Sequence, residues 1–188
     1  MKSAVKWLNR AADRRGGIGL ATLMVGVFAT AHVVNTLFVI ELPQVDESLA
    51  WAAAAGRIIG AGVAFFTAFA MWLYLSFGVY FVLRFGTRDL SAAAVTRRTG
   101  IAFVYPLLGL VASIIVRVVG LPGVVSNGIY WTAVVFGFAM LAAAISSAGG
   151  RRPVLTIIAV TTPVLAAAAG VVLLGLVGQA LVPVEPVS

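Results

Sequence analysis

Cysteine is absent from the chain, which excludes disulfides, thiolate metal sites and thiol nucleophiles. Charge is scarce: only 10% of the 188 residues are charged, against roughly 25% in soluble domains. Histidine occurs once, as His32. The charges fall into short clusters, and the long apolar runs between them contain no Asp, Glu or Lys. A proton or cation pathway usually keeps an acidic relay within such a run. A retinal Schiff base needs a lysine there, and only Lys2 and Lys6 exist. Transferases that bind diphosphate through magnesium need clustered aspartates. An intramembrane serine hydrolase needs an activated serine, and no Gly-x-Ser-x-Gly is present. The expectation is a protein that is not an enzyme, with no cofactor and no metal site.

What the chain has in abundance is apolar side chains, 62% of the total, giving a mean hydropathy of +1.09. A helix needs about 20 mostly apolar residues to cross the hydrocarbon core. Five segments reach that length: 18–40, 58–83, 100–119, 129–148 and 154–182. The second has a possible earlier start near Trp51, and Pro163 interrupts the last. The runs are continuously apolar rather than alternating, which points to helices and not to barrel strands. The predicted fold is all-α, a polytopic bundle of five transmembrane helices. Its predicted parts are a basic amphipathic segment over 1–17, the bundle over 18–182 and a short outer tail over 183–188.

Charge sets the orientation. Lys2, Lys6, Arg10, Arg14 and Arg15 precede the first span, Arg84, Arg88, Arg97 and Arg98 follow the second, and Arg151 and Arg152 follow the fourth. With five spans these eleven share one side. Glu41, Asp46, Glu47 and Glu185 fall on the other. The basic bias places the N-terminus in the cytoplasm and the C-terminus outside. It also accounts for the net charge of +7 without a nucleic-acid partner. The implied location is the cell membrane, with the lipid bilayer as the first partner and other membrane proteins or a second copy as further ones.

The N-terminal stretch "DRRGGIGLATLMVGVFATA" has the outline of a twin-arginine signal cleaved after Ala31. The apolar run continues to Ile40, however, so a retained span is the better reading. Upstream, Val5, Leu8 and Ala12 share a helical face, with Trp7 at its edge and Lys2, Lys6 and Arg10 on another. This fits either an amphipathic helix on an anionic leaflet or a basic tail that sets topology.

Within the spans three constellations stand out. His32 and Asn35, spaced i and i+3, share one face of the first helix. A polar pair facing lipid would leave its donors unsatisfied at a cost of a few kcal/mol. It is therefore expected to face the bundle and bond to Thr, Ser or Tyr of other spans, with a ligand or haem contact through His32 as the alternative. On the second span Ala52, Gly56, Gly60, Ala64 and Ala68 form a small-residue ridge suited to close helix packing. Packing within the chain is the first reading and a dimer face the second. Further along, Phe65, Phe66, Phe69, Trp72, Tyr74, Phe77, Tyr80 and Phe81 read as lipid-facing bulk with an interfacial belt. Arg57 and Arg117, at the outer ends of the second and third spans, are expected to snorkel to phosphates or to pair with Glu41, Asp46 or Glu47.

Gly100, Tyr105 and Pro106 in "TGIAFVYPLLGL" give the third span a glycine and an aromatic before a proline. In this it resembles the corresponding span of the Yip family of five-span membrane proteins. "SSAGGRRPVLTIIAVTTPVL" is similar to the family's short basic turn before its last helix. The Asp-Leu-Tyr-Gly-Pro type signature of eukaryotic members is not in the chain. The resemblance implies a non-enzymatic protein of membrane organisation or assembly. The expected function is thus a scaffold or a subunit of a larger membrane complex, with a small transporter or channel component for a neutral or apolar solute as the alternative.

Overall fold

The computed structural model describes residues 2–14, 16–39, 50–86, 91–149 and 153–181. Among these every element is helical: α1 (Lys2–Asp13), α2 (Gly17–Val34) continued by a π-helical turn (Asn35–Val39), α3 (Ala50–Gly86), α4 (Ala92–Ala102), α5 (Val104–Val118), α6 (Gly123–Gly149) and α7 (Pro153–Leu181). Four stretches are long and apolar enough to cross a membrane: Gly17–Leu37, Ala50–Arg84, Ala92–Val118 and Gly123–Ala148. Pro153–Ala167 is a shorter apolar stretch. Large apolar side chains such as Phe66, Phe81 and Trp131 point outward, which is compatible with a protein embedded in lipid. The acids Glu41, Asp46, Glu47 and Glu185, the arginines at 15, 88, 151 and 152, and the tail 183–188 lie outside the described residues.

The helices pack in a closed order. α2 lies on α3, α3 on α7, α7 on α6, α6 on the α4–α5 pair, and that pair on α2. Turn chemistry fixes the joints. Gly16 takes a φ of +90° between α1 and α2, a conformation open to glycine at little cost. Gly120, at φ +82°, closes α5. There the Leu121 amide donates to the Val116 carbonyl at 3.1 Å and the Gly120 amide to Arg117 at 2.9 Å, the bonding of a Schellman motif. Pro106 lacks an N–H and cannot bond the Ala102 carbonyl, so the stretch Ala92–Val118 bends between α4 and α5 at Phe103. α6 comes close to that bend at Gly137, where a Cβ would lie 3.2 Å from Tyr105 Cβ and 3.3 Å from Pro106 Cδ.

The closest helix contacts fall at glycines other than those of the expected ridge. A Cβ on Gly78 of α3 would lie 2.7 Å from Pro163 Cβ of α7. One on Gly100 of α4 would lie 2.6 Å from Ala21 Cβ and 2.9 Å from Trp72 Nε1. One on Gly109 of α5 would overlap Ala133 of α6. The ridge itself is used unevenly. Ala68 is buried, and Gly60 and Ala64 are half-buried. A Cβ on Gly60 would meet only the Thr36 methyl, at 3.7 Å. Gly56 is exposed, and a Cβ there meets nothing within 4 Å among the described residues.

Candidate functional site

Two places gather polar or aromatic side chains from several helices. The first is a cavity of about 260 Å³ at the centre of the bundle. Its wall comes from α2 through α7 and includes Phe28 of α2, Tyr74 of α3, Phe103 between α4 and α5, Tyr130 and Phe138 of α6, and Val164 of α7. Nearly all of the wall is carbon. The Tyr74 hydroxyl is directed away from ligand duty: it donates to the Pro163 carbonyl at 2.9 Å. That bond and the Gly78 contact hold α7 to α3 at the proline itself.

His32 stands just above this cavity and does not line it. Its ring meets Phe28 edge-on at 4.6 Å between centroids and Tyr130 edge-on at 6.1 Å. It is half-buried and reaches α6 through Tyr130, so the side chain is directed at the bundle. Asn35 is also half-buried and opens the π turn. Thr36 bonds back to the His32 carbonyl at 2.9 Å, which gives that carbonyl a second partner where the helix widens. Among the described residues neither the imidazole nor the Asn35 amide makes a side-chain hydrogen bond. The setting of His32 is thus aromatic, where a polar one was expected.

The second place is the end of the bundle that carries α1. Leu8 and Ala12 are fully buried and Ala11 nearly so, because the apolar face of α1 rests on α4, α6 and α2. Arg98 of α4 reaches under it. Its Nε donates to Asn9 Oδ1 at 2.8 Å, its Nη2 to Asp13 Oδ1 at 2.8 Å and its Nη1 to the Ala94 carbonyl at 3.1 Å. Asn9 in turn donates to Ser147 Oγ at 2.8 Å and to the Ala144 carbonyl at 3.2 Å on α6. One arginine thus ties three helices. Only 3% of Arg98 is exposed, and burial of a cation is tolerated because its donors are satisfied. Arg98 entered the sequence reading only as part of a charge cluster. Its partners are 85 and 89 residues away, which no local pattern discloses.

Three other side chains differ from expectation. Trp72 belonged to the aromatic run read as lipid-facing, yet it is buried and its indole donates to the Thr96 carbonyl at 3.0 Å. Burial is possible because Gly100 leaves room for the ring. Arg117 does not extend freely: Nε donates to Ser126 Oγ and Nη2 to Asn127 Oδ1, both at 2.8 Å. Ser126 then donates to the Ser113 carbonyl at 3.1 Å, stitching α5 to α6. Arg57 has its Nε buried with no partner among the described residues. Comparison with protein-family models, curated proteins and solved structures finds no match.

Proposed function

We propose that this chain is a non-enzymatic five-span protein of the cell membrane, with its N-terminus in the cytoplasm and its C-terminus outside. Its role is that of a scaffold or of a subunit in a larger membrane assembly. The observation that carries this reading is where the polar side chains go. Arg98, Asn9, Asp13 and Ser147 are spent on holding α1. Arg117, Ser126 and Asn127 are spent on joining α5 to α6, and Tyr74 on holding α7. Polar groups committed to helix–helix bonds serve architecture. The resemblance to the Yip family points the same way, towards membrane organisation.

The central cavity supports the second reading, a component that moves an apolar solute, because its wall is carbon and its rings could accept an apolar guest. Two experiments decide between them. In the first, the protein is extracted from its own membranes in mild detergent and its mass measured. A complex of fixed stoichiometry supports the scaffold, and a lone monomer argues against it. In the second, liposomes report movement of an apolar dye. Dye flux that Val134→Trp abolishes by filling the cavity would establish transport instead. Orientation is tested by single cysteines: positions 46 and 184 should react with an impermeant reagent in intact cells, and position 93 should not. Labelling at 93 would overturn the five-span arrangement.

A further inference from the structure

Two hollows lie next to one another on the surface of α6. One, of about 640 Å³, lies between α1 and α6 and is bordered by Lys2, Lys6, Arg10 and Asn9. The other, of about 600 Å³, runs between α6 and α7 past Ala139, Ala142 and Ile157. Ala143 and Ser147 border both. The chemistry changes across that shared edge. On the α1 side three cations recur at every fourth residue, all exposed and without an acidic partner among the described residues. The single acid on that rim, Asp13, is already paired with Arg98 at 2.8 Å. On the α7 side the wall is almost wholly apolar, and alanines on α6 leave a trough that larger side chains would have filled.

We propose that the two adjoining hollows together bind one anionic phospholipid. Its phosphate lies against Lys6 and Arg10, with Lys2 beside them, and an acyl chain lies in the trough between α6 and α7. The argument is complementarity in two chemistries at one junction. A basic pocket beside membrane helices attracts an anionic headgroup, and an apolar trough in hydrocarbon takes a chain. A free anion would use only the first half and a zwitterionic lipid only the second. The bonds from Asn9 to α6 fix the spacing of the two halves. The inference rests on the chain being embedded in a bilayer, and it needs neither the scaffold role nor the orientation.

The test is native mass spectrometry of the full chain in mild detergent with equimolar phosphatidylglycerol and phosphatidylcholine. One phosphatidylglycerol per chain should be retained, at least about tenfold over phosphatidylcholine. Each basic residue near an anionic surface contributes about fivefold, so Lys6→Gln with Arg10→Gln should lose about thirtyfold. Ala143→Phe leaves the charges in place and blocks the trough. It should also lose the lipid, and Ile157→Trp does the same from α7 should the first variant fail to fold. Excess inorganic phosphate should not displace the lipid. Equal retention of both lipids, displacement by phosphate, or full retention in both trough variants would each overturn the site. A stoichiometric protein complex that carries no lipid would also remove this site while leaving the scaffold role standing.

Discussion

Replacing Arg98 by Met keeps an unbranched side chain in the α4 interior and removes every bond its guanidinium makes. Of those bonds, the one to Ala94 lies within α4, so two hold α1: to Asn9 and to Asp13. They are unequal. Asp13 keeps 58% of its side chain in solvent and rehydrates readily, so its share is under about 1 kcal/mol. Asn9 is half-buried and loses a charge-assisted bond worth about 1.5–2 kcal/mol. Together the loss is about 2–3 kcal/mol of docking energy, or 30- to 150-fold at about 1.4 kcal/mol per decade. Burial of Leu8 contributes about 2 kcal/mol more, so α1 should weaken without detaching outright. The lack of native cysteine makes the assay clean. Ala12→Cys puts one thiol on a fully buried position of α1, and its labelling rate reports the open population. Labelling should speed up by about 30- to 150-fold in Arg98→Met and by less than about fivefold in Asp13→Asn. An unchanged rate in Arg98→Met would show that the apolar face alone holds α1. Fast labelling in the parent protein would show that α1 is not docked at all.

Gly78→Ala should cost about 1–3 kcal/mol in thermal unfolding, since its Cβ meets Pro163 and overpacking of a tight contact costs that much; Gly62→Ala, in open space, should be neutral or slightly stabilising. Gly60→Ala puts a Cβ in ordinary contact with the Thr36 methyl alone among the described residues and should cost no more than about 1 kcal/mol. Gly56→Leu should leave unfolding unchanged, and a change in oligomeric mass would assign the outer ridge to a second copy. His32→Phe retains edge-on contact with Phe28 and Tyr130 and should unfold within about 1 kcal/mol of the parent. A haem absorbance band in the parent that disappears in this variant would refute the packing role.

The helical class and the positions of four apolar stretches were legible because 20-residue apolar runs carry their own length rule; among the described residues the fifth run reaches only the shorter Pro153–Ala167. Helix starts were less so. α4 begins at Ala92, eight residues before the predicted span, because Ser91 caps it by accepting from the Ala94 amide at 3.2 Å. Its arginines looked like loop charges until Arg98 found α1. Periodicity likewise did not disclose Tyr130 beside His32, since that contact depends on how α6 is rotated. The ridge on α3 shows the limit of a one-helix argument. Small residues mark where close approach is allowed, whereas actual closeness at Gly78 required Pro163 to arrive from another helix.

The distribution of these contacts along the bundle is compatible with a protein embedded in lipid. Polar ties sit at the two ends: Arg98 with Asn9 and Ser147 at one, Arg117 with Ser126 and Ser113 at the other. Between them the helices meet through glycine, alanine and aromatic edges, around a cavity whose polar hydroxyl on α3 is already bonded. In hydrocarbon an apolar face gains little by leaving lipid for protein, so the middle of a bundle must be held by close fit. The ties at the ends are buried and multiply bonded, as Arg98 and Ser126 both are. Arg98 and Arg117 are thus spent where a bond decides the arrangement of whole helices, whereas Lys2, Lys6 and Arg10 make no bond to another helix among the described residues.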